Sequence, residues 1–207
     1  MILWRDWKWT SASPRPSTVC DLLERIAQQL EEERIPYMVI GGQAVLLYGE
    51  PRLTRDIDIT LGIDMEQWQR MVAICSRLGL TPLVDDVEAF ARQTMVFPTI
   101  DRKSGFRVDW LFSFSPYERQ AMTRTKQVRL GASMVRFASI EDLVVHKLLA
   151  GRPRDIEDFI GILRKKPPID NGYIREWLAQ FDQALGAHLL QDWAKIKGTD
   201  LFIQEIK

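Results

Sequence analysis

The segment 37–61, YMVIGGQAVLLYGEPRLTRDIDITL, constrains the fold more than any other part of the chain. It contains a short apolar run, a Gly-Gly pair, an apolar stretch of helical length, a turn, and then acidic and apolar residues in alternation. Alternation with a period of two predicts a β-strand with Asp56 and Asp58 on one face and Ile57 and Ile59 on the other. The two carboxylates would then be about 6.6 Å apart along the strand.

The aspartates and the glycines of this segment together indicate a site for phosphate chemistry. Neighbouring carboxylates repel each other, and burying them costs free energy unless a cation lies between them. Two divalent ions about 3.5–4 Å apart, as in enzymes that transfer phosphoryl groups, would fit such a gap. Gly41 and Gly42 lie where the first strand gives way to the helix, where backbone N–H groups and the helix dipole favour a phosphate. A lone Asp-x-Asp pair is more often solvated, so the combination carries the prediction.

The order and spacing of these motifs resemble the signature of the nucleotidyltransferase superfamily. That signature begins with an apolar residue, a Gly, and then a second Gly or a Ser. After a gap, which the spacing from Gly42 to Asp56 matches, it continues with Asp-apolar-Asp-apolar. The pattern Arg52-x-Thr54-x-Asp56 is similar to the variant found in the abortive-infection (AbiEii/AbiGii-type) toxin branch. The resemblance covers roughly residues 37–160.

The superfamily has a third carboxylate on a later strand, and Asp109 interrupts the apolar run 106–112 in the expected way. The alternative for Asp109 is a residue that faces water on an edge strand. A later motif of the toxin branch, a lysine followed by an arginine and two aspartates, is matched by Lys147, Arg152, Asp155 and Asp158. The alternative for Lys147 is a surface lysine whose stem packs on apolar neighbours.

The resemblance implies metal-dependent transfer of a nucleoside monophosphate from an NTP to an acceptor hydroxyl on RNA, a protein or a small molecule. The implied ligands of two Mg²⁺ ions are Asp56, Asp58 and Asp109, and the implied catalytic residues also include Lys147 and Asp155. The implied nucleotide-binding residues are Gly41, Gly42, Arg52, Thr54, Lys147 and Arg152. The toxin branch further implies an antitoxin partner and a role in a toxin–antitoxin or phage-defence system.

Two alternatives stay open at this point, the first of them from another class. The chain could be a non-catalytic nucleotide-binding or interaction module on the same fold, although all three carboxylates are present. It could also be an antibiotic-type transferase with a small-molecule acceptor. Pyrophosphate release, as against NTP binding alone, separates the first alternative from an enzyme.

The fold that we expect is α/β, a nucleotidyltransferase-like mixed β-sheet flanked by helices, with a small C-terminal helical region. The predicted divisions are a Trp-rich N-terminal arm (1–16), a core (17–139) and the helical region (140–207). Periodicity predicts helices over 18–34, 65–78 and 116–124, hairpins over 94–112 and 127–138, and one or two helices over 168–197.

Composition limits the partners and the compartment. Lys plus Arg and Asp plus Glu both number 28, so a zero net charge argues against strong non-specific nucleic-acid binding. A local basic run, Arg119 to Arg136, would be either a solvated surface or a contact for phosphates or RNA. Cys20 and Cys75 show neither metal-ligand nor disulfide spacing, and the apolar runs are too short to span a membrane, so we expect a cytoplasmic protein without a membrane partner.

Overall fold

The fold is taken from a computed structural model in which residues 18–49, 53–113 and 115–205 are described, with only the backbone of 199–205. The N-terminal arm and Arg52 lie outside the described residues. The strands are β1 (Tyr37–Ile40), β2 (Asp56–Leu61), β3 (Thr81–Pro82), β4 (Val96–Asp101), β5 (Phe106–Phe112), β6 (Lys126–Leu130) and β7 (Ser133–Phe137). The helices are α1 (Val19–Glu32), α2 (Gly41–Tyr48), α3 (Trp68–Leu78), α4 (Val87–Thr94), α5 (Pro116–Thr123), α6 (Ile140–Ala150), α7 (Pro153–Arg164), α8 (Asn171–Leu185) and α9 (Leu189–Glu205).

The strands form one mixed sheet in the order β3-β4-β5-β2-β1-β7-β6. Strand β2 is antiparallel to β1 and parallel to β5, and β1 is parallel to β7. The predicted α/β fold with a mixed sheet and flanking helices is therefore confirmed. Because β5 lies between β4 and β2, the alternative that Asp109 sits on an edge strand is wrong.

The two faces of the sheet pack against different helices. Ile57, Ile59 and Trp110 are fully buried in a core that includes residues of α1, α3 and α4. Met38 and Ile40, which point to the other face of β1, are buried against α5 to α9. The aspartates of β2 lie on this second face, since Asp58 is in register with Ile40.

Local sequence signals set most of the helix ends. Thr18 and Asp21 form a capping box at the start of α1, in which each side chain accepts a hydrogen bond from the backbone N–H of the other residue. A short 3₁₀ turn over Met65–Gln67 precedes helix α3. The helix ends with Gly79 as its C-cap, as expected. Helix α2 begins at Gly41, the first residue of the Gly-Gly pair.

One helix was not predicted from the sequence. Helix α4 runs over Val87–Thr94 and is capped by Asp86, whose side chain accepts a hydrogen bond from Ala89 N. As a result the following strand begins at Val96 rather than at Thr94. None of the helices in the described ranges is long and apolar enough to cross a bilayer.

Candidate active site

A cleft of about 470 Å³ opens where β2 and β5 begin and β1 ends. It is lined by residues that lie far apart in the sequence: Gly41, Gly42, Leu53, Thr54, Arg55, Asp56, Asp58, Arg107, Asp109, Lys147, Arg152, Arg154 and Asp155. Every predicted site residue among the described ones is in this list. The helices α2, α6 and α7, which contact one another, bring the glycines and the lysine motif to the start of the two strands.

The pairing of β2 with β5 brings the three predicted carboxylates together. The register places Asp58 beside Asp109 and Asp56 beside Arg107 on parallel strands, which lie about 4.8 Å apart in a sheet. Side chains in register on neighbouring strands point to the same face. The buried Ile57 points to the opposite face, as the alternation predicts.

Asp58 is partly buried in the cleft. Burial raises its pKa, the neighbouring charges of Asp109 and Asp56 raise it further, and together they bring it to about 6. The positive charges of Arg152 and Lys147 act in the opposite direction but do not compensate. A cation near Asp58 would therefore be favoured.

Gly41 lies directly against Asp58. Its φ is +61°, a left-handed conformation that favours glycine, and a Cβ on Gly41 would overlap the Asp58 carboxylate. Helix α2 starts here with Ile40 as its N-cap and without a side-chain cap. The first N–H groups of α2 therefore have no side-chain cap at the end that borders the cleft.

Two side chains hold the backbone of Asp56. Thr54 Oγ1 accepts a hydrogen bond from Asp56 N at 3.3 Å, and Gln43 Nε2 donates to Asp56 O at 3.3 Å. Gln43 is buried and was not a predicted site residue. Its signal in the sequence is a single amide in the otherwise apolar stretch of α2.

Lys147 is buried between two aspartates. Its Nζ donates to Asp155 Oδ1 at 2.6 Å and to Asp158 Oδ2 at 2.8 Å, and only 5% of its side chain is exposed. The alternative of a surface lysine is therefore wrong. Arg152 Nε donates to the other oxygen of Asp155 at 2.7 Å, while 73% of the Arg152 side chain stays exposed.

The Asp155 carboxylate is held in its charged form. Burial opposes ionisation, but the hydrogen bonds from Arg152 and Lys147 outweigh it and lower the pKa of Asp155 below its usual value. A carboxylate with a lowered pKa is a poor proton acceptor. This geometry favours an orienting role for Asp155 over that of a general base.

Arg107 is a member of the site that sequence reasoning missed. Its Nε donates to Asp109 Oδ1 at 2.8 Å, and half of the side chain is exposed. This hydrogen bond raises the pKa of Arg107 above its usual value. The signal was present in the sequence, since residues 107 and 109 of a strand share a face.

The described residues do not contain a group of three or more His, Cys, Asp or Glu side chains arranged as a metal site. The three carboxylates of the cleft share a face, but Asp109 is engaged by Arg107. The two histidines do not line the cleft. His146 is packed beside Tyr117, and burial lowers its pKa.

The local basic run lies outside the cleft as well. Arg124 pairs with Glu141 at 3.0 Å, and Arg136 pairs with Glu31 at 2.8 Å. Part of the positive charge of this run is therefore used within the fold.

Known proteins share this arrangement of elements. A family model described as "nucleotidyltransferase of unknown function" (DUF6036) matches residues 17–165. Comparison with curated protein sequences gives no match. The crystal structure of ANT(2″)-Ia in complex with adenylyl-2″-tobramycin superposes with a TM-score of 0.53 at 16% identity, over 80% of this chain and 97% of that one. An antigenic nucleotidyltransferase-like protein from Paracoccidioides brasiliensis gives a TM-score of 0.52 at 16% identity, over 86% and 90% of the two chains. At such identities the likeness concerns the fold alone.

Proposed function

The chain belongs to the nucleotidyltransferase family DUF6036, and on this premise we propose that it moves a nucleoside monophosphate from an NTP to an acceptor hydroxyl in a metal-dependent reaction. One observation carries the proposal. A single cleft combines three carboxylates on adjacent strands, a helix N-terminus that begins with two glycines, and a set of basic side chains. These are the parts that a triphosphate and its counterions require.

The carboxylates fit hard divalent cations by their chemistry. Carboxylate oxygens are preferred ligands of Mg²⁺, and the charge of Asp58 is not compensated by its neighbours. Asp56, Asp58 and Asp109 would hold the ions. Bound cations would lower the pKa of the attacking hydroxyl and neutralise the triphosphate and the leaving pyrophosphate.

The start of α2 would bind the phosphates of the NTP. Its first N–H groups border the cleft at Gly41 and Gly42 without a side-chain cap, and the helix dipole favours an anion there. The absence of a side chain at Gly41 lets the backbone approach Asp58, so that phosphate and carboxylate sites adjoin. Thr54 and Gln43 would act on the reaction by fixing the backbone of Asp56.

The basic residues of α6 and α7 would stabilise negative charge in two ways. Lys147 is paired with Asp155 and Asp158, so it would stabilise negative charge in the cleft through its electrostatic field and by fixing the start of α7. Arg152 is largely exposed at the cleft and is oriented by Asp155, so its guanidinium can reach a phosphate. Asp155 would then be a positioning residue.

The acceptor hydroxyl is the open part of the proposal. RNA, a protein side chain and a small molecule each offer one, and the toxin role with an antitoxin partner stays a prediction from the AbiEii-like motif. The engagement of Arg124 and Arg136 in ion pairs leaves less charge for RNA. Tobramycin is a reasonable first small molecule because ANT(2″)-Ia, which shares the fold, is known with adenylyl-2″-tobramycin.

The test is pyrophosphate release from each of the four NTPs with Mg²⁺, in the presence of total RNA, tobramycin or added protein. We expect release with at least one acceptor and a loss of roughly 100-fold or more in Asp58→Asn. Asp85→Asn, which changes an exposed aspartate outside the cleft, serves as the matched control and should retain the wild-type rate.

Two outcomes would contradict the proposal. NTP binding without release under any condition would favour the non-catalytic module. Equal rates in wild type and Asp58→Asn would show that Asp58 does not take part in the reaction and would refute the proposed metal site.

A further inference from the structure

The Arg107–Asp109 ion pair engages a carboxylate that the proposed reaction needs for a metal. We propose that Arg107 is an internal counterion that holds Asp109 in the metal-free protein, yields it to a divalent cation, and then binds the phosphates of the substrate. The inference rests on the proposed function of the same cleft. It gives Arg107 two successive anionic partners, a carboxylate and then a phosphate.

The backbone of Arg107 is fixed while its side chain is free to change partners. Residue 107 is paired with Asp56 on one side and with Ile100 on the other, and its N–H donates to Arg55 O at 3.0 Å. The guanidinium is half exposed and borders the cleft. A rotation about side-chain bonds is therefore enough to move it from Asp109 toward the cleft, with no change in the sheet.

The ion pairs of the cleft give the counterion role to Arg107. Among the described residues it is the one cation within ion-pair distance of Asp56, Asp58 or Asp109. Lys147 is committed to Asp155 and Asp158, and Arg152 to Asp155. Without Arg107 the metal-free protein would hold three adjacent carboxylates with no direct counterion from the described residues.

Competition between Arg107 and the cation predicts effects of opposite sign on two ligands. Removing the guanidinium frees Asp109, so a divalent cation should bind more tightly. Because the ion pair is half exposed, the gain should be modest, roughly threefold to fivefold in Kd. Removing the same guanidinium also removes a charge-assisted hydrogen bond to phosphate, so tripolyphosphate should bind roughly tenfold more weakly.

The experiment uses the full chain, stripped of metal, as wild type, Arg107→Gln, Arg107→Lys, Asp58→Asn and Arg175→Gln. Mn²⁺ binding is measured by electron paramagnetic resonance, and tripolyphosphate binding by calorimetry at saturating Mg²⁺. Arg175→Gln makes the same charge change at an exposed position of α8, outside the cleft, and should match wild type for both ligands. Arg107→Lys keeps a cation without the planar guanidinium and should lie between wild type and Arg107→Gln.

The outcomes test the inference about Arg107 separately from the proposed function of the cleft. Tighter Mn²⁺ binding and weaker tripolyphosphate binding in Arg107→Gln would support the inference. Unchanged or weaker Mn²⁺ binding in Arg107→Gln overturns it, and so does unchanged tripolyphosphate binding.

If Mn²⁺ still binds wild type and is lost in Asp58→Asn, the proposed function survives that failure. No Mn²⁺ binding to any of the proteins would overturn the metal-dependent reaction itself. Thermal unfolding of each variant verifies that it is folded.

Discussion

Replacing Lys147 with Met tests whether the buried lysine holds α6 and α7 together. Methionine has a similar length and volume, so the packing is largely kept and the charge is removed. In the wild type, Nζ lies 2.6 Å from Asp155 Oδ1 and 2.8 Å from Asp158 Oδ2, with the side chains of the two aspartates 3% and 6% exposed. The variant would therefore leave buried carboxylates without their shared cation.

The size of the effect follows from this burial. Removing one partner of a buried ion pair costs about 3–5 kcal/mol, because a charge is left uncompensated away from water. Arg152 still donates to Asp155 in the variant, so we expect the lower end, about 3 kcal/mol. For a chain of this length that corresponds to a fall in Tm of roughly 6–12 °C.

Urea and thermal unfolding at neutral pH measure the change, with Lys195→Met as the matched control. Lys195 pairs with Asp192 at 3.1 Å on the surface, with 71% and 51% of the two side chains exposed. Exposed pairs contribute about 0–1 kcal/mol, so the same substitution at Lys195 should have little effect. The difference between the two variants isolates the contribution of burial.

A loss below about 1 kcal/mol in Lys147→Met would refute the reasoning, because it would mean that the lysine's charge is not buried in solution. A double-mutant cycle with Asp158→Asn adds a second criterion. If the loss comes from a buried carboxylate that no longer contacts the lysine, neutralising Asp158 in the Lys147→Met background should recover part of it.

Two further variants examine Asp58 and the glycine beside it. Asp58→Asn should stabilise the metal-free protein above pH 6 by on the order of 3 kcal/mol, since burial and the neighbouring Asp109 raise the pKa of the folded carboxyl from 3.8 to about 6. Between these two pKa values the folded protein binds more protons than the unfolded chain, so wild-type stability falls as the pH rises through them. The advantage of the variant disappears below about pH 4. Urea unfolding at several pH values measures the stability difference at high pH and its disappearance at low pH. Gly41→Ala should lower Tm and abolish transfer, because its Cβ would overlap the Asp58 carboxylate, whereas Gly105→Ala, at φ +74° in open space, should cost only about 1–2 kcal/mol for the left-handed backbone.

These two predictions have clear contrary outcomes. A stability difference between Asp58→Asn and wild type that does not change with pH would contradict the raised pKa. Equal melting temperatures and activities of Gly41→Ala and Gly105→Ala would contradict the close approach of the Gly41 backbone to Asp58.

Much of the site could be predicted because its signals are local. The alternation in β2 determines that Asp56 and Asp58 share a face, and the two glycines that follow β1 mark its boundary with α2. Thr18 and Asp21 likewise mark the start of α1 within four residues of sequence. Each of these features depends on bonds or periodicities between near neighbours in the chain, so the residues themselves specify them.

Other features of the candidate site depended on which strands pair. The register of β2 with β5 places Asp109 beside Asp58, although they are 51 positions apart in the chain, and it also places Arg107 beside Asp56. Helix α4 was missed because its eight residues contain only a short apolar pattern, and packing against β4 supports it.

Residues close together in the chain therefore specify most of the elements, the shared face of the paired aspartates and, through the family resemblance, the nucleotidyltransferase superfamily. The burial of Lys147 between Asp155 and Asp158 and the pairing of Arg107 with Asp109 could be known only from the folded structure. The physical reason is that the burial and ionic partners of a side chain depend on elements distant in sequence. A lysine among apolar residues gives the same sequence pattern on a helix surface and in a protein interior. Only the packing of α7 against α6 distinguishes the two.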